Sequence, residues 1–215
     1  VIEVVNKRDG LPFDRNDQNL LSAFASNAAV AIDNARLFTM TDQALTARVD
    51  ELQTLQRIDR ELNTTLDYSR ALEITVDWAT RVSNASAGLI GVMLPEGGGL
   101  LLPVQQGYPP EMERFRQEPW PLDKGLVGYV ASTGMPSMVR DVSEEPDYIA
   151  IVPTTRSQLT VPVARENTVI GVIVLESDRI GGFDLEALNF VVRLADHAAV
   201  TLVNAQLYEE VKRAN

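Results

Sequence analysis

His197 is the single histidine of a 215-residue chain that contains no cysteine, and this combination decides most of the metal and nucleophile chemistry open to the protein. A histidine without a second histidine, a cysteine or a nearby carboxylate makes a poor metal or haem site. His197 lies between Ala195 and Ala199, and its spacing from Leu194 and Leu202 turns it toward a helix layer. A hydrogen-bonded packing role is expected there. The absence of cysteine excludes disulfides, thiolate metal sites, cysteine nucleophiles and thioether-linked chromophores. No Gly-rich phosphate loop with Lys and Ser/Thr, no GxSxG elbow and no histidine-containing metal motif is present. The feature that invites a ligand is a short helix starting at Gly125, whose free backbone N–H groups would form an anion site.

Composition limits the partners. Net charge is −11, from 30 acidic against 19 basic residues, so no broad basic footprint for nucleic acid or an anionic membrane exists. No apolar run approaches about 18 residues and no signal-type N-terminus is present, so a cytoplasmic location is expected. At 45% hydrophobic residues, the chain can fill one ordinary core with material left over.

The elements that would position any site follow from periodicity. VIEVVNK is predicted as a strand, and GLPFDRND as a turn with an N-cap signal at Asp14 or Asn16. Leu20, Leu21, Phe24, Ala28, Ala31, Ile32 and Ala35 recur at helical spacing. No Gly or Pro interrupts residues 13 to 87, so the helix can continue through a stripe of Leu45, Val49, Leu52, Leu55, Ile58, Leu62 and Leu66. That stripe either packs on its own domain or forms a parallel coiled-coil connector; the polar residues between its members favour the connector. A second amphipathic helix carries Leu72, Val76, Ala79 and Val82. AGLIGVMLP and LLLPVQQG flank the turn PEGGG as a hairpin, PPEMERFRQ reads as helix, and Asp123 stands ahead of a short helix that Gly134 ends. PSMVRDV is a strand and SEEPDYIAIVPTTR a loop with one helical turn. SQLTVPVARENTVIGVIVLES is a hairpin turning at Glu166-Asn167, and a long closing helix follows. The fold class is α+β: an antiparallel sheet of about five to six strands, with helices segregated from it.

Residues 1 to 38 repeat residues 171 to 208 without a gap at an offset of 170, with eleven identities that include Phe13/Phe183, Asp14/Asp184, Ala28/Ala198 and Asn34/Asn204. The repeated unit is therefore a whole domain of which the first copy has only its last strand and helix. About 130 residues would be missing upstream, and residues 1 to 5 would be a strand with an exposed edge, paired with another chain or loosely held. Together with Val1 in place of Met, this marks the chain as an expected piece of a tandem-domain protein.

LDKGLVGYVASTGMPSMVRDV, RSQLTVPVARENTVIGVIVLES and FDLEALNFVVRLADHAAVTLVNAQLY, in that order, resemble the GAF domain of sensory proteins. The resemblance covers residues 67 to 208 as a complete domain and residues 1 to 38 as the end of another. It makes 39 to 66 a connector helix and 209 to 215 the start of the next. It implies a small-molecule pocket on one sheet face, capped by the segment from about 105 to 157, with the first and last helices on the other face where dimers form. The pocket residues it implies are Trp120, Gly125, Leu126, Val127, Val139, Asp141, Tyr148, Arg156, Ser157 and Leu159, several of which would serve equally as filled core. Cyclic-nucleotide-binding relatives carry Asn-Lys, then Phe and Asp; Asn6, Lys7, Phe13 and Asp17 match, while Gln18 departs from the following Glu. The complete copy reads Glu176, Ser177, Phe183 and Ala187 instead. A cyclic nucleotide is therefore an expectation for the first domain rather than for the complete one, and without cysteine no bilin can be covalently bound.

The resemblance implies regulation, with any catalytic output outside these residues; methionine sulfoxide reductases share the fold but use cysteines. Two readings remain: a homodimeric sensor that relays ligand binding through parallel helices, or a ligand-free dimerisation and relay module. A cavity of about 300 Å³ or more beneath residues 120 to 157 would favour the sensor.

Overall fold

Five strands form one antiparallel sheet in the computed structural model: β1 (Ala87–Met93), β2 (Leu100–Gln106), β3 (Ser137–Val139), β4 (Ser157–Arg165) and β5 (Thr168–Ser177), in the spatial order β2-β1-β5-β4-β3. The structure describes residues 1–8, 10–63, 67–94 and 97–214. Glu166 and Asn167 at φ 50° and 66° close the β4–β5 hairpin in two residues, a geometry whose twist matches that of the strands. Pro95 and Glu96 of the β1–β2 turn lie outside the described residues, as do Thr64, Thr65, Leu66 and Asn215.

Alternation along the strands sends two sets of side chains to opposite faces. Ile90, Leu159, Val161, Val163, Ile173 and Leu175 are buried against α2 (Tyr68–Val82) and α4 (Leu185–Ala214). Leu89, Leu100, Leu102, Val172 and Val174 face the other way, under a lid formed by the chain between β2 and β4. The predicted helix at PPEMERFRQ is a 3-10 helix, Pro110–Arg116, and the loop's helical turn is Val142–Glu144. Asp67 caps α2 by accepting from the N–H groups of Ser69 at 2.9 Å and Arg70 at 3.2 Å. Asp67→Ala is expected to cost about 1 kcal/mol, read as a shifted urea midpoint at unchanged slope.

The chain divides into two compact units, Val1–Thr54 and Leu55–Asn215. The predicted long helix is present as α1 (Arg15–Asn63). Its leucine stripe is not of one kind. Leu45, Val49 and Leu52 are 62%, 42% and 47% exposed, whereas Leu55, Ile58 and Leu62 are buried in the core with α2 and α4. From Leu55 onward, therefore, the stripe packs on its own domain. Spacing alone could not separate the two, since both halves show the same rhythm of threes and fours. His197 Nδ1 lies 2.5 Å from Asp59 Oδ1. This corrects the reading of His197 as lacking a nearby carboxylate, and the contact ties α4 to the last turns of α1.

In the first unit, Asp14 and Asp17 cap α1 reciprocally: Asp14 Oδ1 accepts from Asp17 N–H at 2.9 Å and Asp17 Oδ2 from Asp14 N–H at 3.0 Å. Lys7 Nζ adds a 2.6 Å ion pair to the same Asp17 oxygen. That hydrogen bond holds the Asp17 carboxyl below its ordinary value and the Lys7 ammonium above. Residues 1–5 do not form the predicted strand. A strand needs a ladder partner, and none is present among the described residues.

Candidate functional site

Under the lid, the sheet floor carries a polar pair in an apolar surround. Glu176 on β5 sits directly across the ladder from Gln158 on β4, and both side chains are buried. The Tyr108 hydroxyl donates to Glu176 Oε1 at 3.0 Å, and the Thr155 hydroxyl donates to Oε2. The carboxyl thus joins one end of the lid to the other, because Tyr108 opens the lid segment and Thr155 closes it. Burial pushes the Glu176 carboxyl above its ordinary range, against the opposing pull of these donors. The same burial, with the Glu176 charge beside it, raises the Tyr108 phenol, and Tyr148 is pushed up to about 12. Gln158 Oε1 and Thr160 Oγ1 are buried without a hydrogen-bond partner among the described residues, and the Tyr148 hydroxyl stands beside Glu176 and Thr155.

Leu89, Leu102 and Val174 from the sheet, with Met112, Trp120, Leu126, Val127, Ile149 and Ile151 from the lid, complete the walls. The enclosed space is about 20 Å³, room for roughly one water. The pocket is therefore shut, far below the volume set as favouring a sensor. Trp120 is locked by a paired bridge to Leu100, at 2.7 and 2.9 Å, and by an edge contact with Phe115 at 5.0 Å.

Of the residues read from sequence, Trp120, Gly125, Leu126 and Val127 line the cavity. The others lie elsewhere. Leu159 points to the helix face, one residue out of register with Gln158 and Thr160, and a slip of one residue on a strand exchanges faces. Ser157 is buried, but its hydroxyl bridges Arg179 O at 2.8 Å and Gly182 N at 3.1 Å. Asp141 caps the Val142 turn through Ser143, and Arg156, half exposed, lies 3.9 Å from Asp141. Val139 is on β3 outside the lining, and Tyr148 reaches the site through the Glu176 charge. Asp123 does not cap α3 (Gly125–Thr133); Lys124 precedes the helix and provides no side-chain cap. Sequence reading missed Glu176, Gln158 and Tyr108. The signal was available for two of them, as polar residues on the even-numbered face of β4 and β5.

Gly125 adopts φ +65°, and a Cβ there would stand 2.9 Å from Ile149 Cδ1. Gly125→Ala is expected to lose about 1–2 kcal/mol, because it forces a left-handed alanine against the lid. Faster amide exchange from Leu126 to Ile151 would locate the loss.

The GAF domain profile matches residues 65–203. The chain belongs to the GAF domain family. The GAF domain from an Acinetobacter phosphoenolpyruvate-protein phosphotransferase superposes with a TM-score of 0.64 at 24% identity, covering 73% of this chain and 94% of that one. Protein ZMO0507 of Zymomonas mobilis is 38% identical over 77 residues, 35% of this chain. The matched stretch spans about half, 48%, of that relative's length. The free methionine-R-sulfoxide reductase of Saccharomyces cerevisiae is 28% identical over 148 residues, 60% of this chain and 78% of the enzyme.

The last similarity corrects one expectation. The expectation is that any catalysis lies outside these residues, yet a relative matched over 60% of this chain is an enzyme, so the chain could itself be one. Catalysis therefore belongs to the repertoire of the fold. GAF domains serve signalling proteins as sensory and regulatory modules. Among the described residues, no cluster is arranged to hold a metal ion, and no helix is long and apolar enough to cross a membrane.

Proposed function

We propose that residues 67–208 form a sensor that binds a small molecule between the sheet and the lid, which is closed in this structure. The observation that carries the reading is the buried carboxyl of Glu176 and, across the ladder from it in the same lining, the Gln158 side-chain oxygen without a partner among the described residues. Such an atom costs roughly 1–3 kcal/mol, a penalty with no return in a merely structural core. A ligand that satisfies it and keeps the lid open would shift the closed–open equilibrium by its differential affinity. The helices α1 and α4 then relay the state to an output outside the 215 residues. A thermal-shift panel of cyclic nucleotides, amino acids, organic acids and amines tests the idea. A ligand at a hundred times its dissociation constant should raise the midpoint by about 5–10 °C. A flat panel would favour the second reading, a ligand-free relay module, to which the small cavity already lends weight.

The exposed part of the α1 stripe supports a homodimer. Leu45, Val49 and Leu52 lie on one side of a helix in a stretch with no other apolar cover. Leu52→Glu should halve the mass in sedimentation equilibrium; an unchanged mass would remove residues 39–54 from the interface.

Residues 1–38 are best read as the closing strand and helix of a further GAF domain. Leu20, Phe24 and Ile32 are 68%, 70% and 66% exposed, yet their repeat partners Phe190, Leu194 and Leu202 are 7%, 0% and 5% exposed. Val4 and Phe13, beside a groove of about 630 Å³, likewise match buried Val174 and Phe183. In the full gene product, amides of residues 4–7 and 20–32 should gain hydrogen-exchange protection over the 215-residue chain. Equal exchange in the two would exclude a covering sheet.

A further inference from the structure

Resting on the pocket reading above, we infer that the ligand carries a cationic head with several N–H donors, an ammonium or amidinium group, on a short apolar body. Glu176 is the one charged side chain among the lining residues, and it is 1% exposed. Its two oxygens receive one hydroxyl each, from Tyr108 and Thr155. A carboxylate offers about four acceptor positions, so even with the Tyr148 hydroxyl beside it some of this capacity is open. Gln158, 5% exposed and directly across the ladder, lines the same space with an Oε1 that accepts nothing. Thr160, fully buried two residues along β4, has an unpartnered hydroxyl.

The site thus presents open acceptor positions on Glu176 and Gln158 with no cationic side chain among the lining residues. An ion taken out of water is costly unless a counter-charge with good hydrogen bonds comes with it. A head with two or three N–H donors and a positive charge meets both needs at once. A carboxylate or phosphate head would place like charge beside Glu176, which also weighs against the anion site read from Gly125 in the sequence. The apolar walls of Leu89, Leu102, Met112 and Trp120 suit a small hydrocarbon or aromatic body. The closed cavity of about 20 Å³ requires that Ile149 and Ile151 move outward with the lid on binding.

The test is calorimetry and thermal shift on the whole 215-residue chain. It uses branched alkyl tails of about two to six carbons, each carrying an ammonium, amidinium, hydroxyl or carboxylate head. The expected result is that a cationic head binds at least tenfold tighter than its hydroxyl counterpart on the same tail, with no binding of the carboxylates. Glu176→Gln should weaken the cation at least tenfold while the protein still unfolds cooperatively, and affinity should fall as the pH is lowered and Glu176 is protonated. Tighter binding of a hydroxyl or carboxylate head, or undiminished cation binding by E176Q, overturns the inference and leaves the pocket reading standing. No binding of any head, together with a flat response in the broader panel, overturns both.

Discussion

Leu62→Glu is expected to unfold the domain of residues 67–208 outright, while Leu52→Glu leaves its stability within about 0.5 kcal/mol. Leu62 is 1% exposed among α2 and α4 side chains, whereas Leu52 is 47% exposed on the same helix. Truncating a buried leucine alone costs roughly 2–5 kcal/mol. Placing a carboxylate there adds a burial penalty of several more, and the sum rivals the whole stability of about 5–15 kcal/mol. Urea unfolding followed by Trp78 and Trp120 fluorescence reads the difference directly, since Trp78 anchors to Glu61 at 2.8 Å on the last turns of α1. A cooperative wild-type-like transition in Leu62→Glu would show that residues 55–63 are not part of the domain core.

The second large effect is expected at Glu176, and its sign depends on pH. Burial raises the folded carboxyl above the ordinary value of 4.5. The native state therefore holds its proton more tightly than the unfolded chain does. The associated stability is fully present below about pH 4.5 and is lost as pH rises through the folded value. Glu176→Gln removes this dependence; its amide oxygen accepts from one of the two hydroxyls, and its NH2 donates to the oxygen of the other. The variant should match the wild type near pH 4 and exceed it at pH 7, by about 1.4 kcal/mol for each tenfold change in proton affinity. Glu176→Leu behaves oppositely at all pH values, because it strands the Tyr108 and Thr155 hydroxyls at roughly 1–3 kcal/mol each. Unfolding curves from pH 4 to 8 for the three proteins decide the matter; parallel wild-type and Gln curves would place the ionised carboxylate in a well-solvated site.

Much of the fold was legible because local chemistry repeats in a short window. The Glu166-Asn167 turn, Gly134 at φ +69° behind α3 and the uninterrupted run from Phe13 needed only nearest neighbours to be read. The site was less legible. Trp120, Gly125, Leu126 and Val127, which the family resemblance implies, line the cavity, but on β4 the same resemblance points to Ser157 and Leu159, one residue out of phase with the pocket face. A strand with apolar residues on one face and polar but buried residues on the other shows its period and hides which face is which.

By itself, the sequence determined the element order from α1 onward, the hairpins, the repeat of residues 1–38 at 171–208 and the exclusion of cysteine chemistry, since each depends on residue type and local spacing. Only the tertiary structure decided that Leu55, Ile58 and Leu62 are core while Leu45 and Leu52 are not, that His197 meets Asp59, and that Glu176 gathers Tyr108 and Thr155 beneath a closed lid. The physical reason is separation along the chain: Tyr108 and Glu176 are 68 residues apart, and only the closed sheet brings their chemistry within a hydrogen bond.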